Sequence, residues 1–128
     1  MKIDAIIDTN IIIDLLNNFP QAVGWHQSQS SYLLAITPVI WFETLEGANN
    51  NLERTRALRL LRRFHIEHPS IADNDWAMYQ YSQFYLSQGI DWEDCMIASV
   101  AIRLSIPLYT RNTKHFGILP NLDLRQPY

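Results

Sequence analysis

Short apolar segments alternate with helical patterns along this chain, and this order limits its possible folds more than any other feature. Residues 3–8, 32–36 and 107–110 are apolar runs of strand length, and shorter strands are predicted at residues 65–68 and 121–124. Helices are predicted between them, at residues 10–17, 20–29, 38–48, 52–64, 73–89 and 91–104. The alternation predicts a three-layer α/β/α fold with a central, mostly parallel sheet of four to five strands.

Three polar residues are predicted to cap helices. Thr37 precedes Pro38, a residue tolerated at the first helical position. Asp73 and Asp91 stand at the start of the two later helices. We expect these side chains to accept hydrogen bonds from the free backbone amides of the first turn.

The size and charge of the chain exclude some classes of protein. Its 128 residues suit one domain, which we expect to span residues 1–128. A formal net charge of −3 argues against a general polyanion-binding surface, so contact with nucleic acid would need a local basic patch or a metal ion. The first residues lack the pattern of a signal peptide, and no apolar run approaches the roughly 20 residues that span a bilayer. We therefore expect a cytoplasmic protein without membrane contact.

Polar side chains stand where the predicted elements would meet at one edge of the sheet. Asp8 ends the first strand, and Glu43 lies within the helix after the second strand. Asp94 lies in the first turn of helix 91–104, and Asn112 follows the strand at 107–110. Ligands bind at the carboxyl ends of strands in parallel sheets. Clustered carboxylates repel one another and burial raises their pKa values, and a divalent cation removes both costs. Three acids and an amide suit Mg²⁺ and a substrate phosphate.

Each of these residues also has an ordinary structural explanation. Asp8 and Asn112 follow strands, where turn residues are common. Asp91 and Asp94 begin a helix, where acidic residues stabilise the positive end of the helix dipole. For Asp91 we expect the capping role, with a second metal site as the alternative. The residues alone leave a metal site and purely structural roles both open.

Four segments together resemble the PIN-domain family, and within it the VapC-type toxins of toxin–antitoxin systems. The order and approximate spacing of the four segments match those of the family. The segments are Ile-Asp-Thr-Asn at 7–10, Ile-Thr-Pro at 36–38 continuing to Glu-Thr-Leu-Glu-Gly at 43–47, Asp-Cys-Met-Ile-Ala at 94–98, and Leu-Tyr-Thr-Arg-Asn at 108–112 with Phe116. The resemblance implies a small α/β domain with a metal-dependent ribonuclease site. The metal, Mg²⁺ or Mn²⁺, would be held by Asp8, Glu43 and Asp94.

The resemblance also assigns roles around these acids. The family's next position, often Asp and sometimes Asn, maps onto Asn112, a fourth catalytic residue with a neutral oxygen. One metal is therefore favoured over two, although Asp91 is a candidate ligand for a second. Asn10 and Thr110 would support the site. The implied partners are RNA, a cognate antitoxin that lays a peptide across the site, and a second copy of the chain.

Two helices carry further candidate surfaces. The predicted helix 52–64 presents a basic stripe that would contact RNA or an acidic antitoxin peptide, or would be a solvated polar face: Arg56, Arg59, Arg62 and Arg63. Arg111, beside the last strand, is a further candidate contact. The helix that starts near residue 73 has a second apolar face, a candidate dimer surface or an internal packing surface, formed by Trp76, Tyr79 and Leu86.

Three functions are compatible with these observations. The first is a metal-dependent endoribonuclease that acts as a toxin. The second is aspartyl-phosphate chemistry with Asp8 as the nucleophile, as in haloacid-dehalogenase-type phosphatases. Those enzymes have a second Asp two residues later, where this chain has Asn10. The third is a PIN-like module that binds RNA or protein with little or no cleavage, an alternative raised by Asn112.

Overall fold

Five parallel strands form the sheet at the centre of the protein, and a computed structural model describes them and every other residue from 1 to 128. The strand order is β3-β2-β1-β4-β5, and each neighbouring pair is parallel. The strands are β1 (Ala5–Ile7), β2 (Leu34–Ile36), β3 (His65–Ile66), β4 (Leu108–Tyr109) and β5 (Leu124–Arg125). The predicted parallel sheet is confirmed, with five strands and no antiparallel pair.

Seven helices connect and cover the strands. They are α1 (Thr9–Leu16), α2 (Pro20–Ser28), α3 (Pro38–Glu46), α4 (Asn51–Leu61), α5 (Ile71–Gln88), α6 (Trp92–Leu104) and α7 (Thr113–Phe116). Every residue of β1 and β2 is buried, because helices cover both faces of the sheet. The three-layer α/β/α fold is therefore confirmed. None of the helices is both long and apolar enough to cross a bilayer.

The apolar side of α6 anchors that helix in the core. Five of its residues are completely buried: Cys95, Ile97, Ala98, Val100 and Ala101. On its outer side, Arg103 forms an ion pair with the buried Asp73 of α5, with Nε and Oδ2 separated by 2.7 Å. These contacts hold α6 in place and thereby fix Asp94 in its first turn.

The starts of three helices differ from the prediction. Ser70, not Asp73, caps α5: the Ser70 hydroxyl accepts from the Asp73 amide, and the Asp73 carboxylate accepts from the Ser70 amide. Thr37 and Asp91 have the backbone conformation of cap residues, but neither side chain makes a cap hydrogen bond. The Thr37 hydroxyl is instead buried without a partner. The predicted side-chain caps at Thr37 and Asp91 are therefore wrong, and Asp73 is the third helical residue of a capping box rather than the N-cap.

The other differences lie at the ends of elements. Helix α4 ends at Leu61 rather than at residue 64, because the chain turns at Arg62 and buries Phe64 before β3. Strand β5 lies at residues 124–125 rather than 121–124. The short helix α7 is absent from the prediction, since four residues carry too little periodicity to indicate a helix.

The strand order creates a crevice at one end of the sheet. From β1 the chain moves to β2 and β3 on one side, and it later returns to β4 and β5 on the other side. The neighbouring strands β1 and β4 therefore flank a topological switch point, where a crevice opens outside the carboxyl ends. Asp8 directly follows β1, and Thr110 directly follows β4.

Candidate metal centre

The crevice beyond β1 and β4 is an open pocket with almost entirely polar walls. Its lining comes from α1, α3, the start of α6 and the segment after β4: Asp8, Thr9, Asn10, Ile13, Asp14, Glu43, Asp91, Asp94, Arg111 and Asn112. The structure thus brings together Asp8, Glu43 and Asp94, which are far apart in the sequence, and sets Asn112 beside them. Their catalytic and metal-binding roles stay predictions.

Asp8 is held rigidly at the base of the pocket. It is the N-cap residue of α1, where Oδ1 accepts from the Thr9 amide at 2.8 Å. Its other oxygen, Oδ2, accepts from the Thr110 hydroxyl at 2.7 Å. Burial raises the pKa of Asp8, and the two hydrogen bonds partly oppose that rise. The side chain is 6% exposed, so its orientation is set by these bonds and by packing.

Thr110 and Asn10 form the support for Asp8. The Thr110 hydroxyl donates to Asp8 and accepts from the Asn10 amide group at 3.1 Å and from the Asn112 backbone amide at 2.9 Å. The Asn10 carbonyl oxygen accepts from the Arg111 backbone amide at 3.2 Å. This network connects α1 to the segment after β4, and its contacts are those that a supporting role for Asn10 and Thr110 requires.

Glu43 enters the pocket from α3 and is partly exposed. One of its oxygens accepts from the Thr9 hydroxyl at 2.7 Å. Burial raises the pKa of Glu43, and the neighbouring acids Asp8, Glu93 and Glu46 raise it further. The sequence prediction missed Thr9, although its position next to Asp8 in the first turn of a helix was an available signal.

Asp94 is the most perturbed carboxyl in the pocket. Burial, followed by the charges of Asp8, Asp91 and Glu43, raises the pKa of Asp94 from 3.8 to about 7. Its Oδ2 atom is buried and has no hydrogen-bond partner. An unpartnered carboxylate oxygen in a polar pocket is costly unless it meets a cation or a proton.

These features fit a divalent cation. Several carboxylates line the pocket, and their oxygens are hard donors of the kind that divalent cations bind. The Oδ2 atom of Asp94 has no hydrogen-bond partner. One group of potential ligands is especially close: the donor atoms of Asp91, Asp94 and His115 all lie within 4.8 Å of one another. Asp8 and Glu43 lie outside this closest group, each held by a threonine hydroxyl.

At the rim of the pocket, the cationic Arg111 is paired with an acid of α1. The Arg111 guanidinium binds Asp14 through two contacts, Nε to Oδ2 at 2.8 Å and Nη2 to Oδ1 at 3.0 Å. The Tyr128 hydroxyl donates to the same carboxylate at 2.6 Å. Burial and this hydrogen bond raise the pKa of Tyr128, which therefore stays a donor. The sequence prediction missed Asp14 and Tyr128, because 114 positions separate them.

A second depression connects the pocket to a groove lined by arginines. Ile13 lines both the acidic pocket and the second depression, which lies beside α3 and α4. Arg56 lines both the second depression and a third depression further from the pocket. Arg59 and Arg63 also line the third depression, so we call these three arginines the arginine groove. Arg62 does not line it. Three of the four predicted arginines therefore line one groove, and both Arg62 and Arg63 follow the end of α4 at Leu61.

Comparisons with known proteins identify relatives of the fold. The family described as PIN domain matches residues 5–118. A toxin–antitoxin complex from Klebsiella pneumoniae contains a chain 27% identical to this one, with 98% of each chain covered and a TM-score of 0.77. VapBC-1 from nontypeable Haemophilus influenzae is 26% identical, covering 97% of this chain and 98% of the other, with a TM-score of 0.76.

A third solved structure shares the fold at lower identity. VapBC2 from Rickettsia felis, bound to a DNA fragment from its promoter, is 21% identical over 97% of this chain and 98% of the other, with a TM-score of 0.79. No curated protein sequence matches the chain significantly.

Proposed function

The chain belongs to the PIN-domain family, and from this premise we propose that it is a metal-dependent endoribonuclease and the toxin of a toxin–antitoxin pair. The observation that carries the proposal is the convergence of Asp8, Glu43 and Asp94 on one open pocket. None of these carboxylates is paired with a lysine or an arginine. Burial raises the pKa values of all three, and neighbouring acids raise those of Glu43 and Asp94 further, as is typical of functional sites.

The three acids would hold Mg²⁺ or Mn²⁺, with Asn112 as a neutral oxygen donor and Asp91 at the rim. A bound divalent cation would offset the charge of a phosphodiester and lower the pKa of water. In the hydrolysis, a water oxygen forms a bond to phosphorus while a phosphorus–oxygen ester bond breaks, and the leaving ribose oxygen keeps the bonding pair and takes a proton from solvent water. A pocket carboxylate accepts the proton that the water releases.

RNA contacts would come from the cationic side chains around the pocket. Arg111 stands at its rim, where it would bind a phosphate beside the scissile one. The arginine groove would follow the RNA backbone away from the pocket, since arginine side chains bind phosphates of single and double strands. A local basic path of this kind reconciles an acidic protein with an RNA substrate.

Removal of divalent cations is expected to abolish RNA cleavage. Without a cation, the pocket acids repel the phosphate instead of binding it. The measurement is gel analysis of end-labelled bacterial tRNA and ribosomal RNA, first in EDTA and then after addition of excess Mg²⁺ or Mn²⁺. Cleavage at an undiminished rate in EDTA would contradict the proposal.

Replacing Arg111 by alanine is expected to raise KM for RNA by about tenfold while kcat changes little, since a charged hydrogen bond contributes about 1.5–3 kcal/mol. Arg125→Ala is the matched control, because Arg125 also forms a two-contact pair with an aspartate, Asp123, on the exposed surface. The measurement is initial cleavage rate against RNA concentration. Equal KM values for the two variants would remove Arg111 from the RNA-binding surface.

The proposal includes a cognate antitoxin and a homodimer. The Klebsiella and Haemophilus relatives are toxin–antitoxin assemblies, and an acidic antitoxin segment would fit the arginine groove. On α5, Met78, Tyr79 and Leu86 are 68%, 61% and 83% exposed, an apolar surface suited to a second copy. Trp76, expected on this face, packs instead against the core.

One alternative function is a PIN-like module that binds RNA or protein without efficient cleavage. Asn112 favours it, because this position lacks the charge of a carboxylate. Under this alternative, Mn²⁺ would not shift thermal unfolding, since a ligand that binds only the folded state must stabilise it. Aspartyl-phosphate chemistry has no comparable support: Asn10 stands where those enzymes have an aspartate, and its amide group bonds to Thr110.

A further inference from the structure

His115 lies where it would add a nitrogen ligand to the acidic pocket. It belongs to α7, which packs against α6, and its Nδ1 atom is 3.9 Å from the Oδ2 atom of Asp94. Asp91 and Asp94 are three residues apart at the start of α6, so their side chains share one face of the helix. The donor atoms of all three residues lie within 4.8 Å of one another.

We infer that Asp91, Asp94 and His115 form a mixed oxygen and nitrogen site that binds Mn²⁺ or another first-row transition-metal dication in preference to Mg²⁺. The inference rests on the proposed function in treating the acidic pocket as a cation site, and it adds an imidazole ligand and a metal preference. Imidazole is a softer donor than a carboxylate and suits first-row transition metals, of which Mn²⁺ is the hardest and weakest binder, whereas Mg²⁺ takes oxygen ligands.

The unpartnered oxygen of Asp94 is the second observation behind this site. The Oδ2 atom is buried without a hydrogen bond, and the residue is only 9% exposed. Two atoms bonded to one ion at about 2.1 Å can be separated by up to about 4.2 Å, so the 3.9 Å between Asp94 and His115 permits a shared ion. A simple Asp94–His115 hydrogen bond would instead bring the two atoms to about 3 Å.

Asn112 has a place in this arrangement. Its side-chain nitrogen lies 3.4 Å from Nδ1 of His115, a long contact. If the imidazole carries its proton on Nε2, Nδ1 has a lone pair that accepts from Asn112 and is available to a metal. Ligation would replace this weak contact with a stronger bond. His115 would then supply a donor near the position where Asn112 lacks a carboxylate.

Pulsed EPR of bound Mn²⁺ tests the inference directly, because an imidazole ligand gives a characteristic ¹⁴N coupling. We expect this coupling in the wild-type protein, its loss in His115→Asn, and its retention in His68→Asn. His68 is a matched control, since it is an exposed histidine outside the pocket. His115→Asn is also expected to weaken Mn²⁺ binding by at least about tenfold, and to leave Mg²⁺ binding unchanged.

The outcomes separate this inference from the proposed function. Bound Mn²⁺ without imidazole coupling in the wild type would overturn the role of His115, and RNA cleavage in Mg²⁺ would still stand. Equal loss of Mn²⁺ and Mg²⁺ affinity in His115→Asn would also overturn the metal preference. If neither Mg²⁺ nor Mn²⁺ bound the wild type, as measured by calorimetry, the proposed function and the inference would both be overturned.

Discussion

Replacing Asp8 by asparagine is expected to lower RNA cleavage by about 10²–10³-fold, the range seen when one charge-stabilising group is removed from an active site. Asparagine has the same shape and keeps an oxygen that can accept from the Thr9 amide or the Thr110 hydroxyl. It removes the negative charge that would hold a cation at the base of the pocket. The measurement is the initial rate of cleavage of end-labelled RNA in Mg²⁺ and in Mn²⁺.

Loss of cleavage in Asp8→Asn should not come from loss of folding. The variant removes a charge that burial disfavours, so its thermal stability without metal should equal or exceed that of the wild type. Asp75→Asn is the control, since Asp75 is exposed on α5 and does not line the pocket. An Asp8→Asn protein that cleaves RNA at the wild-type rate would show that the nuclease assignment is wrong.

The sheet could be predicted because its central strands are buried on both faces. The apolar runs at residues 3–8, 32–36 and 107–110 contain β1, β2 and β4, and the short outer strands β3 and β5 were weaker signals. Helix starts were harder to predict. Ser70 and Asp73 are both good cap residues, and only the reciprocal hydrogen bonds distinguish the N-cap from the third helical position.

The acids of the pocket could be proposed from sequence because each stands at a predictable place on a strand or helix. Asn10 and Thr110 were assigned supporting roles only through the family resemblance. The contacts themselves could not be predicted, because they join distant parts of the chain. Thr110 bonds to Asp8 across 102 positions, and Tyr128 bonds to Asp14 across 114. The closeness of His115 to Asp94 depends on α7, a single helical turn whose orientation no periodicity specifies.

The metal-free protein is expected to lose stability as the pH rises, and Asp94 is the main reason. Its carboxyl ionises near 3.8 in the unfolded chain and near pH 7 in the folded protein. Between these two pH values the folded protein binds more protons than the unfolded chain, so the free energy of unfolding falls as the pH rises. The contribution of Asp94 to that free energy is lowest above pH 7. With 1.4 kcal/mol for each pKa unit, the loss between pH 5 and pH 8 is about 2–3 kcal/mol.

Urea unfolding in EDTA at pH 5 and pH 8 measures this loss, and the comparison with Asp94→Asn isolates it. The variant has no carboxyl to ionise at this position, so its stability should depend less on pH by about 2–3 kcal/mol, although Asp8 and Glu43 still contribute with the same sign. Excess Mg²⁺ at pH 8 should stabilise the wild type, by about 2.7 kcal/mol at 100 times its dissociation constant, and should stabilise the variant less. Parallel pH profiles for the two proteins would mean that Asp94 ionises normally. The acidic pocket would then lack the electrostatic strain that a cation is proposed to relieve.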